Sequence, residues 1–214
     1  MTELWLTRII PDLRSRQARR DLASAVGMHH RVMQLFPDTA VEQARAALGV
    51  LFRIEDGPQG PHILIQSRMR PEETALPAGY GTTAAKPLTP LLEGLRSGRP
   101  VRYRIAASAV RKPGKTTRTV YNLKPVVPLT GTAADDWWIR QAQQSGLTIH
   151  TVRSAPLDAA RGEHAKGKHR ICHARTRFDG TATVTDPGLL QRRLTEGIGR
   201  GKAYGCGLLT LAPA

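Results

Sequence analysis

The spacing of apolar positions along the chain changes period several times, and each change marks an element. Leu4 to Ile10 is a short apolar-rich run ended by Pro11 and predicts a first strand. Ser15 is placed to cap a helix whose polar side carries Arg16, Arg19 and Arg20. From Val26 to Phe36 the period is helical: Met28, Val32 and Leu35 share one stripe, Phe36 sits beside it, and Pro37 ends it. Val50–Glu55 and His62–Arg68 predict two strands, joined by the turn chemistry of DGPQG. Residues 71–87 (PEETALPAGYGTTAAKP) show no period and read as linker or loop, and a short helix over Leu88–Leu95 follows, ending at Gly98.

In the second half, Val101–Val110 and Val120–Leu129 alternate and predict strands, separated by the basic tip RKPGKTTR with Lys112 and Lys115. Thr132 opens a helix through Gln144 that Gly146 stops, and Leu147–Val152 is again strand-like. Residues 158–170 (DAARGEHAKGKHR) read as a basic loop. Ile171–Phe178 and Thr181–Thr185 then predict a hairpin around Asp179-Gly180. Asp186 with Pro187 predicts a capped helix to about Glu196, and Leu208–Leu211 a last strand. The order is β-α-β-β-α-β, then something similar with an extra hairpin, which predicts an α+β fold of two tandem ferredoxin-like (RRM-like) domains. The expected division is 1–98, carrying the His29 helix, and 99–214, carrying the basic loop and the C-terminal glycines. The pattern leaves open whether residues 101–110 complete the first domain or begin the second.

Charge changes the picture most. With 32 Lys and Arg against 17 Asp and Glu, the 214-residue chain carries +15 and a pI near 11.0, and a polyanion is the natural screen for such an excess. Its beginning lacks the basic and then apolar pattern of a secretion signal, and no run approaches the ~18 apolar residues of a membrane span. Cys172 and Cys206 are the only cysteines, so a disulfide framework is not expected and the cytoplasm is the expected location.

GIGRGKAYGCG, from Gly197, raises the question of which phosphate it would meet. It completes neither the dinucleotide fingerprint nor the P-loop, and a helix precedes it while a strand follows, the reverse of both nucleotide folds. No nucleotide cofactor is expected. Backbone N–H groups freed by glycine, with Arg200 and Lys202 between them, instead suit a nucleic-acid backbone. KAYGCGLL matches the RNP1 consensus only at Lys202, Tyr204 and Gly205.

For chemistry, GMHHR at residues 27–31 stands out. On a helix His29 aligns with Val26, Met33 and Phe36 at the edge of the apolar stripe, whereas His30 lies on a more polar face with Gln34. Imidazole transfers protons near neutral pH, as ribonuclease-type cleavage requires; the plainer reading is a packing histidine. His164, His169, Cys172 and His173 match no zinc spacing, and Lys166, Lys168 and Arg170 interleave with them and would repel a cation. Acidic clusters suited to two-metal phosphodiester chemistry are missing from the sequence. Any nucleic-acid chemistry is therefore expected to be metal-independent, which points to RNA, because RNA carries its own 2′-hydroxyl nucleophile.

The opening segments LWLTRII, SRQARRDLAS and MHHRVMQLFPD, with the closing RFDGTATVTDPGLLQRRLTEGIGRGKAYGCGLLTLAP, resemble the CasE family of CRISPR repeat-RNA endoribonucleases over essentially the whole chain. The resemblance implies tandem ferredoxin-like domains and metal-independent cleavage on the 3′ side of a repeat hairpin. In that reaction the 2′-hydroxyl attacks in line, leaving a 2′,3′-cyclic phosphate and a 5′-hydroxyl. It also implies retention of the mature crRNA within the Cascade complex, beside other Cascade subunits. The family's helix histidine follows an apolar residue and precedes the proline of an LFP-type helix end by eight positions, which His29 satisfies through Met28 and Leu35-Phe36-Pro37. His30 and Arg31 are candidates for support. One departure stands: where family members often carry a tyrosine three positions before the histidine, this chain has Val26. The expected RNA contacts are Arg16, Arg19, Arg20, Lys112, Lys115, Lys166, Lys168, Arg170, Arg200 and Lys202. Two other readings compete: a scaffold that holds structured RNA without cutting it, and a DNA-binding regulator, for which no helix-turn-helix pattern is found.

Overall fold

In a computed structural model, which describes residues 3–38, 43–58, 60–163 and 170–214, the chain forms two four-stranded antiparallel sheets. The first strand, β1 (Trp5–Pro11), leads into α1 (Arg16–Leu22), whose N-cap is Ser15, the hydroxyl accepting from the Ala18 amide. Ser24 caps α2 (Ala25–Met33) in the same way, through the Gly27 amide. After α3 (Ala44–Ala47) come β2 (Leu51–Gly57), β3 (Gly60–Ser67) and β4 (Gly81–Pro87), giving the order β2-β3-β1-β4. One face of this sheet buries Ile9, Phe52, Ile63 and Ile65 under Met28, Val32 and Leu35, the stripe read from the sequence.

Residues 81–87 are therefore a strand and not linker. The strand is at the sheet edge with its side chains largely exposed, pairing to β1 through its backbone alone, so GTTAAKP carries no apolar alternation to signal it.

A short α4 (Thr89–Glu93) precedes β5 (Pro100–Ala107), whose partners are β9 (Arg170–Val184) and β10 (Leu209–Pro213), so residues 101–107 belong to the second sheet. Its order, β10-β5-β9-β8 with β8 at Leu147–Glu163, repeats the connectivity of the first, and the two sheets form tandem ferredoxin-like domains. Between β5 and β8 lie β6 (Val110–Arg111), α5 (Lys115–Val120), β7 (Val127–Pro128) and α6 (Thr132–Gln143). The expected strand over 120–129 shrinks to Val127–Pro128. Pro125 and Pro128 carry no N–H for a ladder, and Asn122 turns the chain at φ 46°. Asp186 caps α7 (Pro187–Glu196), as expected, and α6 and α7 cover the second core around Trp138, Phe178, Leu190 and Leu194.

The largest departure from expectation is Asp179-Gly180, which makes no turn. β9 runs straight through it, and β8 extends to Glu163, so part of the expected basic loop is strand; Lys166 and Lys168 lie outside the described residues. Gly180 is needed here for close approach: a Cβ would stand 1.9 Å from the Thr151 carbonyl oxygen and 2.8 Å from the Tyr103 hydroxyl, which itself donates to that carbonyl at 2.9 Å. Gly180→Ala is expected to destabilise the fold by about 1–3 kcal/mol, read as a lower midpoint in urea unfolding. An unchanged midpoint would show that the bulge between Ile149 and Thr151 yields freely.

The other face of the first sheet docks on the second domain. The Gln66 side-chain amide donates to the Leu194 carbonyl at 2.6 Å. Arg53, 2% exposed, donates to the carbonyls of Arg104 (2.9 Å) and Leu208 (2.7 Å) and to the Thr210 hydroxyl (2.9 Å). β2 is consequently buried on both faces, with Leu51, Phe52 and Arg53 all inaccessible in succession.

Candidate active site

His29 comes from α2. Its neighbours Met28 and Val32 are core residues, which holds its Cα firmly, while its own ring is half-buried at the edge of that stripe. The His30 ring, centroid 6.0 Å away, is exposed. Arg31 leaves on another side of the helix: Nε donates to the Asp21 carboxylate at 2.6 Å, Nη1 to the Gln34 side chain at 2.7 Å, and its cation stands 5.1 Å from the centre of the buried Tyr80 ring. That commits Arg31 to joining α1, α2 and Tyr80. The tight packing and the Asp21 charge push the Tyr80 hydroxyl well above the usual phenol range, so it stays protonated.

The second domain meets α2 in two places. The β8–β9 hairpin crosses its first turn at Gly162, where a Cβ would lie 2.6 Å from Val26 Cγ2, so only glycine allows this approach. A cleft of about 520 Å³ opens beside this contact, with Ser24, Met28 and Asp56 on one side and Arg161, Arg175 and Tyr204 on the other. The glycine segment makes the second contact. Its short 3₁₀ turn, Lys202–Tyr204, brings the Tyr204 ring edge-on to His29, with centroids 6.2 Å apart, and stacks it on His173 at 5.5 Å. Burial and the nearby Arg200 cation both hold the His173 pKa below its usual value, keeping this imidazole neutral at neutral pH.

The remaining candidates divide by position. Arg16, Arg19 and Arg20 are exposed on α1, the helix packed against α2. Lys112 and Lys115 are exposed on the excursion between β6 and β7, and Arg200 is exposed near His173. Lys202 is half-buried: its ammonium donates to the Glu196 carbonyl at the end of α7 at 2.8 Å, and burial lowers its pKa. Arg170 opens β9, and only its backbone lies within the described residues. Cys206 is buried under the glycine loop, its thiol pushed up to about 12 by that burial, so it is inert as a nucleophile near neutral pH.

His29 and the glycine segment, far apart in the sequence, meet in the structure. In the sequence Tyr204 shows only as a partial RNP1 match, and His173 only among histidines that match no zinc spacing; no local signal in either segment points to α2.

No helix among the described residues is long and apolar enough to cross a membrane. Comparison with known proteins places these features in a lineage. The model of a family described as CRISPR associated protein matches residues 4–213. The chain is 28% identical over 222 residues to the CRISPR-associated endoribonuclease Cse3 of Thermus thermophilus, covering 98% of this chain and 100% of that protein. It is also 28% identical over 220 residues to the CRISPR system Cascade subunit CasE of Escherichia coli K12, with the same coverage. A solved structure of Thermus thermophilus Cse3 bound to an RNA representing a pre-cleavage complex superposes with a TM-score of 0.80 at 27% identity, over 99% of this chain and all of that one.

Proposed function

The chain belongs to the CRISPR-associated protein family, and from that membership we propose that it is a metal-independent endoribonuclease that cuts CRISPR precursor RNA on the 3′ side of the repeat hairpin. It then keeps the crRNA as a subunit of a Cascade complex in the cytoplasm. The observation that carries the reading is His29: a half-buried imidazole on a rigid helix, at the junction of two domains, in a chain of charge +15.

The reaction needs no outside nucleophile. The 2′-hydroxyl loses its proton and attacks the adjacent phosphorus, the bond to the 5′-oxygen breaks, and that oxygen takes up a proton. His29 serves as general base to the 2′-hydroxyl or general acid to the leaving oxygen. The rest of the acceleration comes from holding the nucleotide with attacking and leaving oxygens in line. His30 is exposed on the next helix position and supports the site from there, and Arg31 supports it by fixing α2.

Recognition falls to charge and shape, because the deep major groove of A-form RNA hides its base edges. Arg16, Arg19 and Arg20 supply one basic surface from α1; Arg170, at the start of β9, and Lys112, Lys115, Arg200 and Lys202 add contacts from the second half of the chain, as do Lys166 and Lys168 of the basic 158–170 segment. Each phosphate contact removed should weaken binding and flatten its salt dependence.

The deciding experiment incubates the chain with a repeat hairpin in excess EDTA. The expected product is a fragment ending in a 2′,3′-cyclic phosphate, at an unchanged rate. Intact RNA held tightly would instead establish the scaffold reading, which Val26, a side chain unable to donate a hydrogen bond, otherwise favours.

A further inference from the structure

Tyr204 stands between two imidazoles that belong to different domains. Its ring is edge-on to His29 of α2 and stacked, at 22° between planes, on His173 of β9. This placement is built into the loop. Gly201 (φ 72°) and Gly205 (φ 80°) hold left-handed conformations at the two ends of the 3₁₀ turn. A Cβ at Gly201 would come within 3.5 Å of His173 Cγ, and one at Gly205 within 3.4 Å of the Phe52 ring of β2. The turn therefore packs against β9 of its own domain and against α2 and β2 of the first. Behind it Cys206, Leu208 and Leu209 are buried, and the Lys202 ammonium ties the turn to the end of α7. One turn before His29 on its own helix, Val26 is 7% exposed, packed on Gly162, and carries neither ring nor polar atom.

We propose that Tyr204 is a positioning residue for His29: its ring, braced by His173, fixes the orientation of the His29 imidazole, so that docking of the second domain's glycine loop completes the active site. The inference rests on the reading of His29 as the acid–base group. His173 stays uncharged and acts as a flat platform rather than as a proton donor. Small errors in the placement of a catalytic group are costly, so loss of the ring is expected to slow cleavage by about ten- to a hundredfold.

The test measures single-turnover cleavage and hairpin affinity separately, using the full chain and a repeat-hairpin RNA. Tyr204→Ala should cut slowly with affinity unchanged to within about twofold, and Tyr204→Phe, which keeps the ring, should recover most of the rate. His173→Ala should share part of the defect, and His173→Phe should relieve it. In a His29→Ala background, Tyr204→Ala should cost nothing further, since it acts through that histidine. Tyr204→Leu keeps the loop filled, and it carries the test if the alanine variant does not fold. Cleavage at the wild-type rate by Tyr204→Leu or Tyr204→Ala overturns the proposal. So does a Tyr204→Phe variant as slow as alanine, or a rate loss explained by weaker binding. Full cleavage by His29→Ala would instead sink the acid–base reading, whatever Tyr204 does.

Discussion

His29→Ala is expected to lower single-turnover cleavage of a repeat hairpin by about 10²- to 10⁴-fold while hairpin affinity stays within a few-fold. The range is what one positioned proton-transfer group contributes, and binding survives because the imidazole is one small group beside a large basic surface. His30→Ala, run in parallel, should leave most of the rate, since that ring is exposed and on a different side of α2. A substrate with a 2′-deoxy nucleotide at the cut site should bind normally and not be cut, because the nucleophile is gone. Full cleavage by His29→Ala, or a loss matched by His30→Ala, would move the chemistry elsewhere. Cleavage of the deoxy substrate would exclude the cyclic-phosphate route altogether.

Much of the scaffold behind this prediction is legible in the sequence, because it depends on local rules. The Met28-Val32-Leu35 stripe, the caps at Ser15 and Asp186 and the alternation of β5 each follow from side-chain periodicity or backbone hydrogen-bonding demand. The sequence misleads where partners far along the chain decide. Asp179-Gly180 has the composition of a turn, yet Gly180 is there because Thr151 and Tyr103 leave no room for a Cβ. β4 is invisible because an exposed edge strand needs only backbone pairing. The candidate site divides in the same way. His29 can be found from its distance to the LFP helix end, whereas Tyr204 lies 175 positions later and becomes its neighbour only through domain docking. Arg53 gives no sign at all in LFRIED, where it reads as one more solvated cation on a basic chain.

Arg53 carries the second large effect: Arg53→Met is expected to lower the free energy of unfolding by about 3–5 kcal/mol. Burial lowers the pKa of this guanidinium, but Glu55, 2.5 Å away, opposes the shift and keeps it charged. Glu55 is also approached by His62 at 3.2 Å and Arg104 at 3.5 Å, and Arg104 and Arg177 both pair with Asp179, so the carboxylate has other partners once Arg53 is gone. What the substitution strands first is the buried Leu208 carbonyl, left without this donor at a cost of about 1–3 kcal/mol, while the half-buried Arg104 carbonyl and Thr210 hydroxyl each lose one partner across the domain junction and keep the 3.2 Å bond between them. Lysine cannot reach all three with one ammonium, so Arg53→Lys should recover little. Urea unfolding reads the loss directly, and a change below about 1 kcal/mol would show that the junction tolerates water in place of the guanidinium. The same variant probes function, because Arg53 holds the first sheet against the domain that delivers Tyr204 to His29. Its cleavage rate should therefore fall even well below its melting midpoint. An Arg53→Met protein that is destabilised as expected yet cuts at the full rate would show that the active site is assembled by the β8–β9 hairpin and the glycine loop without help from this junction.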